Sequence, residues 1–226
     1  MADFTPHQIY PHLTAAMVQS VGEASNGGKE ITTTSKPILP PCKPDNIVSL
    51  DCEMVGCGSK GRISALGRCS IVNYCGEIVY DSYVKPVLPV TDYRTKWSGI
   101  RRKHLSNAMP FSEARKLIKR HLSGKYIIGH DLKNDFSALK FTPHPLLVKD
   151  TSKCIALRHT AGLPDHQKPS LRTLTSQIFG KVIQTASHCS VEDAKAALML
   201  YKKVEDHWDK KTNPFLTDTY WNDVKK

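Results

Sequence analysis

The sequence contains no pair of cysteines at C-x-x-C spacing, and no apolar run near the roughly 20 residues that a membrane-spanning helix needs. Its seven cysteines, Cys42, Cys52, Cys57, Cys69, Cys75, Cys154 and Cys189, are scattered and odd in number. That argues against a structural zinc site and leaves the thiols reduced. The opening residues lack a basic stretch followed by an apolar core, so no secretory leader is expected and the setting reads as intracellular, without a membrane partner. Acidic side chains are the scarce charge: 21 Asp and Glu stand against 32 Lys and Arg, for a formal net charge of +11 and a pI near 9.3. A surplus of that size fits a polyanionic partner. Nucleic acid is the commonest, an anionic membrane surface competes with it, and a merely soluble basic protein is the plain alternative.

The chain has 226 residues, of which 40% are hydrophobic, enough for one packed domain plus a tail. Residues 1–44 read as a flexible N-terminal segment and linker: Ser25-Asn26-Gly27-Gly28, Thr32-Thr33-Thr34-Ser35 and then Pro37, Pro40, Pro41 and Pro44 cannot bury enough surface to hold a fold. Residues 45–210 carry the domain, and 211–226 form a C-terminal tail. Within the domain, strands are expected over Ile47–Glu53, Arg68–Tyr74 and Glu77–Val84, the last two joined by a tight turn at Cys75-Gly76. Helical spacing covers Phe111–Leu122 and stops at Gly124. A short strand over Tyr126–Gly129 leads to a helix starting near Asp131. Leu146–Lys149 suggests another strand, and Ser170–Phe179 and Ser190–Trp208 suggest helices. A strand meander followed by alternating helix and strand predicts an α/β fold, a central mixed sheet flanked by helices.

Three segments hold residues suited to chemistry. In Val48-Ser49-Leu50-Asp51-Cys52-Glu53-Met54, strand alternation points Asp51 and Glu53 off one face. Paired carboxylates repel unless a cation sits between them, and a hard divalent ion fits carboxylate oxygens; two solvated acids on a surface strand end are the plain reading. In Gly129-His130-Asp131-Leu132-Lys133-Asn134-Asp135-Phe136, Asp131 occupies an N-cap position and Asp135 lies one turn on, either favoured by the helix dipole or projecting into a cleft. In Ser187-His188-Cys189-Ser190-Val191-Glu192-Asp193-Ala194, Ser190 and Asp193 have the spacing of a capping box. The same turn can offer Asp193 as a metal ligand, with His188 as a general base near neutral pH.

Taken together, these segments resemble the DEDDh class of 3′→5′ exonucleases, whose motifs supply four acids and a histidine. Asp51 and Glu53 match the first motif, Asp135 the second, and His188 with Asp193 the third. The phrases LDCEMVG from Leu50, TDYRT from Thr91, WSGI from Trp97, GHDLKNDF from Gly129 and SVEDA from Ser190 are similar to one subgroup, that of the interferon-stimulated 20-kDa exonuclease, the apoptosis-enhancing nuclease and RNA exonuclease 4. The resemblance covers about Asn46 to Trp208. It implies an RNase H-like fold and two Mg²⁺ or Mn²⁺ ions about 3.5–4 Å apart, held by Asp51, Glu53, Asp135 and Asp193. It implies His188 as the base, and release of nucleoside 5′-monophosphates from nucleic acid, with single-stranded RNA 3′ ends favoured. It also implies a nuclear or nucleolar location. Action on DNA, or a nucleic-acid-binding protein with an idle site, remain open. Met54 is a candidate substrate contact or a core residue. Arg94 is a candidate for a phosphate or sugar hydroxyl, or a loop residue paired with Asp92. Arg101-Arg102-Lys103-His104, Arg115-Lys116 and Lys119-Arg120 are candidate strand-steering clusters.

Overall fold

A mixed seven-stranded sheet runs through the molecule in the order β5-β3-β2-β1-β6-β7, with β4 pairing on β1. The strands are β1 (Ile47–Cys57), β2 (Ile63–Asn73), β3 (Ile78–Lys85), β4 (Val90–Asp92), β5 (Met109–Pro110), β6 (Tyr126–Gly129) and β7 (Val148–Asp150). The helices are α1 (Thr95–Ser98), α2 (Arg102–Leu105), α3 (Phe111–Leu122), α4 (Lys133–Leu139), α5 (Ile155–Thr160), α6 (Leu171–Phe179) and α7 (Ser190–Thr212). The computed structural model describes residues 42–185 and 187–212, apart from the side chains at 207 and 209–212. The remainder of the expected N-terminal segment and of the C-terminal tail lies outside these residues. At the described end, Cys42 is buried and its Sγ lies 3.6 Å from the Tyr201 hydroxyl.

β1, β2 and β3 form the expected antiparallel meander, while β6 and β7 join it in parallel. β1 is buried on both faces, as a strand covered by helices on each side must be. Val48, Leu50 and Cys52 face one way, into a core with Ala114, Ile118 and Leu122 of α3 and Leu139 of α4. Each such fully buried aliphatic side chain contributes about 1.5–3 kcal/mol by leaving water. On the opposite face Ser49 donates its hydroxyl to the Ala194 carbonyl of α7 at 2.8 Å. Ser70 of β2 and Ser190 of α7 bring their hydroxyl oxygens to 2.6 Å. Small polar residues thus seat the start of α7 flat against the sheet.

Five local expectations are corrected. β1 does not end at Glu53 but continues to Cys57, and β2 starts at Ile63, not Arg68. The extra residues pair with each other as an exposed-edged hairpin, after a slip in register: Glu53 opposes Arg68, yet Met54 opposes Leu66. Gly67 takes up the slip. A Cβ there would lie 2.5 Å from Ile100 Cδ1 and 3.1 Å from Val55 Cγ1, so only glycine leaves room for that packing. Residues Pro145–Leu147 form a 3₁₀ turn, with proline at its start, and the strand is Val148–Asp150. Asp131 does not cap α4. It adopts φ 59, pairs its carboxylate with Lys168 at 2.6 Å, and α4 begins at Lys133. The capping box at Ser190 is also absent: Ser190 pairs with Ser70, and Asp193 turns its carboxylate to Gln184.

Candidate active site

The sheet opens beside its central strand. One edge of β1 is paired with β2 throughout; the other is paired with β6 only at Ile47–Ser49 and with β4 only at Gly56–Cys57. Between those two stretches the backbone of Leu50–Val55 has no neighbouring strand on that edge among the described residues. Asp135, buried in the first turn of α4, meets that stretch at Cys52, whose backbone donates to its carboxylate. The tight β6–α4 connection places it there, because Gly129 passes so close to β1 that a Cβ would stand 2.9 Å from the Leu50 carbonyl oxygen.

Asp51 and Glu53 leave β1 on the face that α7 covers, and Asp193 sits in the first turn of α7. One carboxylate oxygen from each of Asp51, Glu53 and Asp193 lies within 4.8 Å of the others. Asp135 stands outside that trio, yet its charge acts on Asp51 more strongly than that of either partner acid. Of the paired strand acids Glu53 is buried, at 6% exposed, and Asp51 is half-buried, while Asp193 is 3% exposed.

Among the described residues, Glu53 Oε1, Asp135 Oδ1 and Asp193 Oδ1 are buried without a hydrogen-bond partner. Burial and the neighbouring charges of Asp135, Asp193 and Glu53 push Asp51 well above the usual carboxylate range. Burial and Asp193 push Glu53 up to about 8, tempered by Arg68, its cross-strand neighbour. Burial raises Asp135 to about 7 against the hydrogen bonds it accepts, and burial raises Asp193 too. Unsatisfied hard oxygen donors with affinity for positive charge fit divalent metal ions, and no soft ligand competes at the same point.

His188 joins this cluster from the loop before α7. Its Nδ1 lies 3.5 Å from Asp193 Oδ2, and 41% of the side chain is exposed, so solvent and substrate reach it. Its backbone N–H donates to the Trp97 carbonyl at 2.7 Å, which ties the loop to α1. Asp193 Oδ2 also accepts the Gln184 side-chain amide at 2.7 Å. Gln184 is a residue that sequence reasoning missed, since no motif flags a lone glutamine in a loop. Its φ of 56 would have marked it only in coordinates.

The two candidate substrate contacts fall differently. Met54 is partly buried and packs against the core cluster. Arg94 donates from its guanidinium to Ser64 Oγ and the Gly61 carbonyl, clasping the β1–β2 turn, while only its backbone N–H goes to Asp92. Of the basic clusters, Arg115 is engaged with the carbonyls of Leu139 and Lys140. Arg101, Arg102 and Lys103 are exposed.

A mixed α/β sheet that gathers buried carboxylates and a histidine around its central strand defines a class of acidic-site hydrolases with an RNase H-like fold. Comparison with known proteins gives the family. Residues 48–201 match the model of the RNase_T family, described as Exonuclease. The chain belongs to that family. It is 47% identical over 175 residues to mouse (Mus musculus) interferon-stimulated 20 kDa exonuclease-like 2, covering 76% of this chain and 48% of that one. It is 45% identical over 168 residues to human (Homo sapiens) apoptosis-enhancing nuclease, covering 74% and 52%. Against mouse RNA exonuclease 4 it is 44% identical over 166 residues, covering 73% and 38%. The chain therefore spans about half the length of the curated relatives it matches. Among solved structures it is similar to the Neurospora crassa Pan2 catalytic unit, with a TM-score of 0.60 and 28% identity over 80% of this chain and 29% of that one. It is also similar to the Saccharomyces cerevisiae Pan2 module in complex with AAGGAA RNA, with a TM-score of 0.62 and 26% identity over 80% and 32%.

Proposed function

We propose that this chain is a divalent-metal-dependent 3′→5′ exonuclease that releases nucleoside 5′-monophosphates, with single-stranded RNA 3′ ends as its preferred substrate. The observation that carries this reading is the convergence of Asp51, Glu53 and Asp193 within 4.8 Å, with partnerless buried oxygens on Glu53, Asp193 and nearby Asp135. The match of these acids and His188 to the DEDDh motifs supports the direction of attack. A relative named RNA exonuclease 4 and a fold neighbour in complex with RNA support the sugar preference.

Asp51, Glu53, Asp135 and Asp193 would hold the ions. Two bound Mg²⁺ or Mn²⁺ ions supply Lewis acidity, which makes water a nucleophile near neutral pH and neutralises charge on a leaving oxygen. His188 accepts the proton of the attacking water on its ring. Asp193, sharing Oδ2 between His188 and Gln184, orients the imidazole without surrendering its own carboxylate. The burial of Glu53, Asp135 and Asp193 excludes bulk water and strengthens each of these interactions. Exposed Arg101, Arg102 and Lys103 attract the phosphate backbone. Residence in the nucleus or nucleolus is part of the same proposal.

Incubation of 5′-labelled RNA with Mg²⁺, Mn²⁺ or excess chelator tests it, alongside a DNA of matched sequence. The expected result is a ladder shortening one nucleotide at a time from the 3′ end, faster on RNA and abolished by chelation. Internal fragments, shortening from the 5′ end, or activity in full chelator would overturn the mechanism.

A further inference from the structure

Trp97 is a large hydrophobic side chain beside the site that the protein leaves largely in water: it is 60% exposed. It lies on α1, a helical turn of four residues that is closed by other groups. Gly99 N–H closes the turn on Thr95, Thr95 Oγ1 bonds the Ile100 carbonyl, and Ser98 Oγ bonds the Tyr93 carbonyl. Ser98 and Ile100 supply the burial. The backbone of Trp97, by contrast, is engaged: its carbonyl accepts the His188 N–H at 2.7 Å. The backbone that carries the indole is thus tied directly to the proton-accepting histidine, while most of the residue faces solvent.

Charge around it favours a polyanion. Lys96 places its ammonium 5.7 Å from the Trp97 ring centroid, and Arg101, Arg102 and Lys103 follow on the exposed surface. An exposed indole flanked by cations is the arrangement by which proteins hold single-stranded nucleic acid, the ring stacking on a base while the cations take the phosphates. We infer that Trp97 is a stacking platform for a nucleobase of the strand close to its reacting 3′ end. It grips the strand independently of base identity, so that His188 and the acids meet a positioned phosphodiester. This inference rests on the nuclease reading for its purpose, but not for its physics.

The test is equilibrium binding, in chelator, of a fluorescein-labelled 12-residue oligoadenylate and of an abasic strand of the same length, paired with turnover in Mg²⁺. Trp97→Ala should bind the oligoadenylate roughly 5- to 150-fold more weakly, the span that one base–aromatic stack provides. Trp97→Phe should retain most of the affinity. The abasic strand should bind the native protein and Trp97→Ala alike. In turnover the Trp97→Ala loss should fall on KM, with kcat on saturating RNA within a few-fold of native. Thermal melting of Trp97→Ala close to native confirms that the turn survives. Equal affinity of native and Trp97→Ala protein for the oligoadenylate would overturn the inference, as would an equal loss on the abasic strand. Stacking-dependent binding by a protein without turnover would instead sink the nuclease reading and leave the platform standing.

Discussion

Gln184 donates its side-chain amide to Asp193 Oδ2 at 2.7 Å, the oxygen that His188 Nδ1 approaches at 3.5 Å. Gln184 does so from a left-handed backbone, a conformation that costs a non-glycine residue about 1–3 kcal/mol. The amide and the imidazole share that oxygen, so Gln184 helps to fix the carboxylate that His188 faces. Replacing Gln184 by Leu should lower activity at neutral pH about tenfold. An unchanged rate would show that the glutamine only fills space.

The raised acids make stability depend on pH and metal in a defined direction. Glu53 titrates near 8 when folded, against an ordinary 4.5, and Asp135 near 7, against 3.8. Below the ordinary values both states carry the protons and nothing is lost. As pH rises through this window the unfolded chain releases its protons first, so the metal-free fold loses stability until the folded groups have also ionised, above about 8. Melting in chelator should therefore fall between about pH 5 and 8. Added Mn²⁺ should raise it more at pH 8 than at pH 5, because ions and protons compete for the same oxygens. A metal-induced shift that is flat across this range would contradict the site as assigned.

Asp135→Asn should separate activity from stability. The amide keeps an oxygen for the Cys52 backbone donor but removes a buried charge from among three other acids. Turnover should fall at least about a thousandfold, since a metal-holding carboxylate stabilises charge that forms in the transition state. Melting in chelator at pH 8 should rise, by up to a few kcal/mol in unfolding free energy. Lower melting together with retained turnover would rule out Asp135 as a ligand.

Gly129→Ala should damage both properties at once. The new methyl would meet the Leu50 carbonyl oxygen, a backbone atom that cannot rotate away. Overpacking of this kind costs about 1–3 kcal/mol, and here it also pushes α4 and Asp135 off β1. A stability loss in urea unfolding should come with a drop in kcat larger than the change in KM.

Binding of RNA should weaken steeply with salt. Arg101, Arg102, Lys103 and Lys96 are exposed, and each phosphate they neutralise releases counterions. A plot of log affinity against log salt should be linear and fall, and losing two of these arginines should flatten it. A salt-independent affinity would remove the electrostatic part of the reading.

The acids and the histidine were legible before any coordinates because strand alternation and short motifs carry their spacing. Asp51 and Glu53 share a face as a period of two requires. α6 shows its limits in Ser170, whose hydroxyl caps Thr173, and in Gly180. What escaped depends on contacts between distant segments. The hairpin continuation Met54–Leu66 was hidden by exposed Ile63 and Ser64, which break alternation at an edge. Asp131 has the chemistry of a cap, but Lys168 and the Asp150 carboxylate, which takes its backbone N–H, claim it first. The grouping of three acids within coordination distance, with Asp135 approaching from the edge, required the register of β1 against β6 and the serine contacts that seat α7.

The gap along β1 also constrains how such a chain can change. A strand missing from the middle of a sheet is normally a weak point, since amides there seek any neighbour, including another molecule. In this protein Asp135 meets that stretch at Cys52. Drift in the β6–α4 connection by one residue would carry the carboxylate away from β1. Length variation between Gly129 and Asp135 is therefore the change least open to this architecture.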